Sequence, residues 1–253
     1  MLIDSHAHLE MGEFDNDRDD VIKRAQQAGV KRIITVGTTV SDCEKALSIA
    51  GRYEAVYAAV GIHPHEVKSI HDKTYDDLKR LAKSDKIVAF GEIGLDFFRN
   101  LSPRDIQVKR FSEQLDLAQE LELPIIIHDR EAHKETLSML RGWQGKRGVI
   151  HCFSGDYKMA NACIDMGFYI SIPGAVTFGK SEKLQDVIRR IPLSSLLVET
   201  DAPYLTPHPN RGKRNEPAYV IHTARKVAEI KGLSFEQVAD ASSRNANALF
   251  GIV

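Results

Sequence analysis

Two histidines near the start of the chain are spaced so that both could bind one metal ion. His6 and His8 follow the apolar pair Leu2 and Ile3, which predicts a short buried strand. Side chains two residues apart on a strand point to the same face, so both imidazoles would emerge on one side. Neutral histidine is the commonest metal ligand in proteins. An isolated pair could equally be two polar residues at a strand end, so the later strands decide its meaning.

Histidines and carboxylates also follow most of the later apolar runs. Six of the ten histidines fall at the ends of predicted strands, which a scattered placement would not produce. The strand-end set consists of His6, His8, His63, His65, Glu92, His128, His151, Glu199 and Asp201. The other four histidines are predicted to lie on helices or connecting loops without a catalytic role: His71, His133, His208 and His222.

The composition is that of a globular protein without a strong electrostatic preference. The 253 residues are 43% hydrophobic, and 34 basic residues nearly cancel 35 acidic ones, so a nucleic acid would have to bind through a local patch. The three cysteines (Cys43, Cys152 and Cys163) form no C-x-x-C pair, which argues against disulfides and a cysteine zinc site. No apolar run reaches the roughly 18 residues of a membrane helix, and no signal peptide is recognisable. We therefore expect a cytoplasmic protein with no membrane contact.

The apolar runs alternate with amphipathic stretches, which predicts an α/β fold. With the opening strand there are eight, the others lying at 32–37, 55–61, 87–92, 124–128, 148–151, 168–172 and 196–201. Their continuous apolar character suits parallel strands covered on both faces. Helix starts are predicted at the Ser41–Glu44 and Ser234–Gln237 capping boxes and at Ser102-Pro103.

Eight such units could form a doubly wound sheet or a closed barrel. No Gly-rich loop follows the first strand, although a doubly wound nucleotide-binding fold usually has one. Polar residues cluster instead at strand C-termini, which converge on one mouth in a closed barrel. The sequence also contains no repeat, low-complexity segment or Gly/Ser linker. We therefore predict a (β/α)8 TIM barrel in which residues 1–253 form a single domain, with a metal site at the C-terminal mouth.

Four imidazoles and two carboxylates in this set are more than one ion needs. A catalytic zinc typically takes three protein ligands, whereas two ions about 3.5–4 Å apart can use all six. Glu92 lies in the middle of the strand order, so it is predicted to bridge the ions. Asp201 ends the last strand, beside His6 and His8 once the barrel closes. It is predicted to hold a metal and to act as the general base.

Short motifs rich in polar residues occur along essentially the whole chain: Asp4–Leu9, Gly61–His65, Gly91–Asp96, His128–Arg130, His151–Gly155, Glu199–Pro203 and Arg214–Pro217. In type and order they resemble the motif series of the TatD family, metal-dependent hydrolases of the amidohydrolase superfamily whose members are described as deoxyribonucleases. The resemblance implies metal ligands at His6, His8, Glu92, His128, His151 and Asp201, with Glu92 bridging. These positions agree with the strand-end assignment.

Other residues receive weaker predictions. His63 could donate to a phosphate oxygen or a leaving group, and His65 could bind substrate, although both could be structural loop histidines. Glu199 is predicted to face inward and to orient a ligand histidine, with direct catalysis as the alternative.

A basic loop follows the eighth strand. Arg211, Lys213 and Arg214 are predicted to bind substrate, since guanidinium groups fit phosphate oxygens; the alternative is a solvated loop. The sequence lacks a long basic stripe and a series of aromatic residues on which bases could stack. We therefore expect modest affinity for nucleic acid, directed to the end of a DNA strand and not to a duplex.

Together these features predict a metal-dependent deoxyribonuclease that cuts DNA ends, expected to be single-stranded, through attack by a metal-bound hydroxide. Two divalent ions are expected, with Zn, Mn, Fe or Ni favoured by the imidazoles and Mg by phosphodiester chemistry. A hydrolase of a small amide, lactone or phosphoester remains an alternative because the same metal chemistry serves it. A non-enzymatic barrel that binds a metal or a partner is the third hypothesis. The protein is expected to be a monomer or a weak oligomer.

Overall fold

A sheet of eight parallel strands lies at the centre of the computed structural model, which describes residues 1–145 and 148–252. Every strand pairs with the next one along the chain, in parallel orientation throughout. The prediction of eight strands is confirmed. They are β1 (Leu2–Ala7), β2 (Val30–Val36), β3 (Val56–Val60), β4 (Ile87–Asp96), β5 (Ile125–Arg130), β6 (Gly148–Ile150), β7 (Phe168–Ile172) and β8 (Leu196–Val198).

Helices connect the strands and cover the outside of the sheet. The α-helices are α1 (Arg18–Gln27), α2 (Val40–Arg52), α3 (Asp72–Leu81), α4 (Arg104–Glu120), α5 (His133–Gly142), α6 (Tyr157–Asp165), α7 (Glu182–Arg190), α8 (Val220–Lys231) and α9 (Phe235–Phe250). Short 3-10 helices lie at Gly12–Phe14, Val67–Ser69, Gly174–Thr177, Leu193–Ser195 and Pro217–Tyr219. No helix among the described residues is long and apolar enough to cross a membrane.

The sheet closes where the last strand returns to the first. Ala7 forms a parallel bridge with Ala202 just beyond β8. The Asp201 N–H donates to the His6 carbonyl at 2.9 Å, and the His8 N–H donates to the Ala202 carbonyl at 2.8 Å. These bonds satisfy backbone groups that would otherwise form open sheet edges. The predicted (β/α)8 barrel is confirmed.

The interior of the barrel is filled with apolar side chains below the mouth. One buried cluster draws on strands around the sheet and on α9, so it lies within the barrel: Ile3, Ile34, Val36, Ala59, Val88, Ala89, Ile126, Val149, Leu197, Ala246, Leu249, Phe250 and Ile252. The Ser243 hydroxyl on α9 donates to the Met1 carbonyl, which places α9 at the N-terminal end of the strands. Polar groups are therefore gathered at the opposite, C-terminal end.

The predicted helix starts are only partly correct. The Ser234–Gln237 capping box is present at the start of α9. The capping box predicted at Ser41–Glu44 is wrong, because the side chain of Thr39 accepts the Asp42 N–H and starts α2 earlier.

At α4 the expected cap is shifted by one residue. The N-cap is Pro103, and the Ser102 hydroxyl donates to the His65 carbonyl at 2.8 Å instead of capping the helix. A hydroxyl near a helix start can bond a neighbouring loop as well as the helix, and sequence spacing does not distinguish the two. This bond ties the loop after β3 to the loop after β4.

Gly94 allows β4 and β5 to approach closely beneath the mouth. Its φ is +140°, and an added Cβ would lie 2.0 Å from the His128 carbonyl oxygen. We expect Gly94→Ala to lower the free energy of unfolding by about 3 kcal/mol or more, because strain and a backbone clash combine. The measurement is the urea midpoint of unfolding.

Gly51→Ala is the matched control for Gly94→Ala. Gly51 lies in α2, and an added Cβ meets nothing within 4 Å. Alanine there should leave stability unchanged or raise it by about 1 kcal/mol, since it favours the helix over glycine. Equal urea midpoints for the two variants would contradict the proposed clash at Gly94.

Candidate metal centre

The C-terminal ends of the strands bring all six predicted metal ligands into one cluster. His6 and His8 come from β1 and the loop after it, Glu92 from β4 and His128 from β5. His151 and Asp201 follow β6 and β8. Parallel strands end at the same rim of a barrel, so residues far apart in the chain meet there. Their roles as metal ligands stay predictions, and their proximity is a property of the fold.

The first half of the cluster consists of His6, His8, Asp201 and one oxygen of Glu92. The Nε2 atoms of His6 and His8 are 3.2 Å apart. The His6 nitrogen lies 3.4 Å from Glu92 Oε2 and 3.8 Å from Asp201 Oδ1. The His8 nitrogen lies 3.9 Å and 3.5 Å from the same two oxygens. Two atoms that each lie about 2.1 Å from a shared ion are roughly 3 to 4 Å apart, so this spacing fits a metal site.

The second half contains His128, His151 and the other oxygen of Glu92. Glu92 Oε1 lies 2.6 Å from His128 Nδ1 and 2.6 Å from His151 Nε2. His63 Nε2 approaches the same group, 3.5 Å from Glu92 Oε1 and 3.4 Å from His128 Nδ1. His63, Glu92 and His128 together offer three donor atoms that could hold an ion. His63 is therefore a candidate ligand as well as a candidate catalytic residue, which its position in the sequence did not indicate.

Glu92 lies between the two halves and directs one carboxylate oxygen to each. The carboxylate is buried, and its Oε2 faces the β1 histidines while its Oε1 faces His128 and His151. Burial alone would raise the pKa of this carboxyl, but the imidazoles around it, with His151 the strongest, hold the pKa well below its usual range. An ionised carboxylate shared in this way has the geometry that a bridging ligand requires.

The cluster contains more buried negative charge than fixed positive charge. Four carboxylates around the mouth are buried: Glu10, Glu92, Asp96 and Glu199. Within the described part of the chain, those that form ion pairs do so only with imidazoles. Buried charges in proteins are normally paired or bound to metal ions. Divalent cations would supply the missing positive charge, so these residues fit the metal dependence that the sequence predicts.

The pKa of each histidine depends on its burial and on the carboxylates beside it. Burial lowers the pKa of His6, and it lowers the pKa of His63 to about 4. Burial also acts against protonation of His151, but the carboxylates of Glu92 and Glu199 raise its pKa well above the usual range. Metal ions bind the neutral imidazole, so an ion at this site would take the place of such protons.

Groups behind the candidate ligands hold the rings in place. His8 Nδ1 lies 2.8 Å from the Val36 carbonyl and 3.2 Å from Glu10 Oε1. Glu10 was not singled out from the sequence, although it continues the alternation of His6 and His8 by two residues. A carboxylate behind a ligand histidine fixes its orientation and raises its basicity.

Asp96 and Glu199 occupy equivalent positions behind the second half of the cluster. Asp96 Oδ2 lies 3.1 Å from His128 Nε2 and 2.9 Å from His65 Nε2. Glu199 Oε1 accepts the Cys152 N–H at 2.7 Å and lies 3.5 Å from His151 Nδ1. The inward orientation of Glu199 expected from strand alternation is present. His65 is thus placed against Asp96, one side chain away from the candidate ligands.

The three basic residues of the last loop have different surroundings. Arg214 donates two hydrogen bonds of 2.8 Å to the Asp17 carboxylate, which lowers the pKa of Asp17 to about 2. The Arg211 guanidinium lies over the Phe178 ring, 4.0 Å from its centroid. Lys213 is exposed. Arg214 therefore attaches the loop to the region before α1, while Arg211 and Lys213 remain on the surface.

The spacing of the cluster predicts that metal ions stabilise the fold through Glu92. Adding Zn²⁺ or Mn²⁺ to metal-stripped protein should raise Tm by roughly 5 °C or more, because a ligand that binds only the native state stabilises it. Glu92→Gln should lose most of this shift, since it removes the charge shared by both halves. Differential scanning fluorimetry and metal content after dialysis would measure the effect.

Glu236→Gln provides the control, because Glu236 is an exposed carboxylate in the first turn of α9. It should bind the same number of ions as the wild type and show the same rise in Tm. Unchanged metal content and an unchanged Tm shift in Glu92→Gln would rule out a bridging role for Glu92.

Comparison with known proteins identifies the family. The family model described as TatD related DNase matches residues 3–251. The chain is 42% identical over 254 residues to the uncharacterized metal-dependent hydrolase YabD of Bacillus subtilis, covering all of both chains. It is 38% identical over 260 residues to the 3'-5' ssDNA/RNA exonuclease TatD of Salmonella typhimurium, again covering all of both.

A solved structure agrees with these sequence matches. The crystal structure of YJJV, a TatD homolog from Escherichia coli K12, superimposes with a TM-score of 0.95 at 32% sequence identity. The match covers 100% of this chain and 98% of that one. The strand-end cluster, the barrel and the whole-chain matches lead to one conclusion: the chain belongs to the TatD family and is a metal-dependent hydrolase.

Proposed function

We propose that this hydrolase removes nucleotides from the ends of single-stranded DNA or RNA, using two divalent metal ions. The name of the Salmonella relative, a 3'-5' ssDNA/RNA exonuclease at 38% identity, supports this substrate class and suggests the direction of cleavage. The metal ligands we propose are the six that the sequence predicts: His6, His8, Glu92, His128, His151 and Asp201. We also propose that residues 1–253 act as one catalytic domain.

One observation carries the proposal: the two oxygens of Glu92 face two separate groups of imidazoles. Paired divalent ions lower the pKa of bound water and stabilise negative charge on both the attacking and the leaving oxygen of a phosphodiester.

Asp201 is the residue we assign to proton transfer. Its carboxylate lies within 3.8 Å of the Nε2 atoms of both β1 histidines. Burial would raise its pKa, but the hydrogen bond from His8 and the nearby charges lower it. The carboxylate is thus ionised and can accept a proton from the attacking water. Its backbone is held by the bond to the His6 carbonyl that closes the barrel.

Substrate positioning is assigned to groups at the edge of the cluster. His63 has a pKa of about 4, so near neutral pH its ring is uncharged and can donate one N–H to a phosphate oxygen. Arg211 and Lys213 are available for the phosphodiester backbone. We assign Arg214 to holding the loop, because Asp17 already binds its guanidinium.

The assay uses metal-stripped protein and a single-stranded oligonucleotide labelled at one end and then at the other, with Mg²⁺, Mn²⁺ or Zn²⁺ restored. We expect stepwise shortening from one end that requires added metal. Asp201→Asn should lower kcat by at least about 100-fold, because the variant side chain cannot accept the proton.

Asp186→Asn is the control for this variant. Asp186 is an exposed carboxylate of α7 paired with Arg190, so its loss should leave cleavage unchanged. If no metal supports cleavage of DNA or RNA while a small amide, lactone or phosphoester is hydrolysed, the nuclease assignment is wrong and the small-substrate alternative takes its place.

A further inference from the structure

We propose that Phe98 and Tyr204 are stacking platforms for the two nucleobases that flank the scissile phosphate. This inference rests on the proposed nuclease function and specifies how a single strand is held at the same site. An exposed aromatic ring offers an unpaired base a surface on which to stack. Phe98 is 58% exposed and Tyr204 is 49% exposed, and both lie in loops at the mouth of the barrel.

Phe98 is connected to the second half of the metal cluster through Asp96. The Phe98 N–H donates to Asp96 Oδ1 at 3.0 Å, and the other oxygen of that carboxylate lies 3.1 Å from His128 Nε2. The Arg99 N–H also donates to Asp96 Oδ1, at 2.7 Å. The backbone that carries the Phe98 ring is therefore fixed relative to the candidate ligand His128, while the ring itself projects into solvent.

A cation lies beside this ring. The guanidinium carbon of Arg130, at the end of β5, is 4.4 Å from the centroid of Phe98. Arg130 is exposed, and none of the ion pairs among the described residues involves it. An arginine stacked on an aromatic ring can contact a base by stacking and a phosphate by charge. Phe98 and Arg130 together therefore offer a stacking surface for a base and a positive charge for a phosphate.

Tyr204 occupies the other side of the cluster. Its ring centroid is 6.4 Å from that of His8, in an edge-to-face arrangement. The Tyr204 N–H donates to the Asp201 carbonyl at 2.8 Å, which fixes the loop directly behind a candidate ligand. Its hydroxyl reaches Met11 Sδ at 3.5 Å, so one edge of the ring is anchored.

The two residues thus lie in loops attached to opposite halves of the cluster, with Glu92 between the halves. A phosphate over Glu92 would have one neighbouring nucleoside toward Tyr204 and the other toward Phe98. Bases in a duplex are stacked on each other and cannot also stack on protein rings, whereas unpaired bases can. The two rings would hold the base on each side of the cleaved bond, which suits removal of nucleotides from the end of a strand.

The test compares two single-stranded oligonucleotides, one normal and one with abasic residues at the terminal three nucleotides of the cleaved end. Wild-type protein should cleave the normal strand with a kcat/KM roughly 5- to 150-fold higher, the range expected for stacking of one base. Phe98→Ala and Tyr204→Ala should each lose at least about fivefold on the normal strand and keep their rate on the abasic strand. Phe98→Trp should retain the preference because it retains a stacking surface.

Leu101→Ala is the matched control, since Leu101 is 53% exposed in the same loop and is not aromatic. It should keep the wild-type preference for the normal strand. Equal cleavage of both strands by the wild type, or equal losses on both strands in the alanine variants, would overturn the stacking role while leaving the nuclease function intact. If the wild type cleaves neither strand in any metal, the proposed function fails and this inference fails with it.

Discussion

The buried carboxylate of Glu92 is the group on which the arrangement of the mouth depends. A charge removed from water is costly unless opposite charge or hydrogen-bond donors surround it. Here imidazoles from four other strands or the loops after them approach its two oxygens, and no lysine or arginine of the described residues pairs with it. Its negative charge holds together side chains that would otherwise have no reason to face one another. The same charge makes the site suitable for divalent cations.

The apolar interior of the barrel restricts where the polar side chains of the strands can lie. Apolar side chains fill the interior below the mouth, and α9 covers the N-terminal end of the strands. Polar groups on the strands can therefore escape burial among apolar side chains only at the C-terminal rim. Closure of β8 onto β1 then places Asp201 against His6 and His8 through backbone hydrogen bonds. The last motif in the chain becomes the neighbour of the first.

Around this centre, a layer of buried acceptors determines how each ring is turned. Glu10 lies behind His8, Asp96 lies behind His128 and Glu199 approaches His151. Asp96 also binds backbone N–H groups of the loop that carries Phe98. A carboxylate that orients a candidate ligand thus also fixes a surface loop. Ligand geometry and the shape of the substrate-binding rim are consequently linked through one side chain.

Much of the fold and the membership of the strand-end cluster could be read from the sequence, because both follow from local patterns. Apolar runs with β-branched residues specify strands, and a histidine or carboxylate directly after a run must emerge at the rim. Strand alternation likewise indicated that Glu199 faces inward. Glu10 could have been found in the same way, since it continues the alternate spacing of His6 and His8.

What only the tertiary structure decided are contacts between segments distant in the chain. No local pattern indicates that Ser102 bonds the His65 carbonyl, that Asp17 binds Arg214 or that His63 approaches Glu92. The sequence also did not decide the α2 cap, because Thr39 and Ser41 are both suitable cap residues and only the structure shows that Thr39 accepts the Asp42 N–H. Residue types and spacing thus determined which groups reach the mouth. The distances and partners there depend on how eight strands close into one barrel, which no single segment encodes.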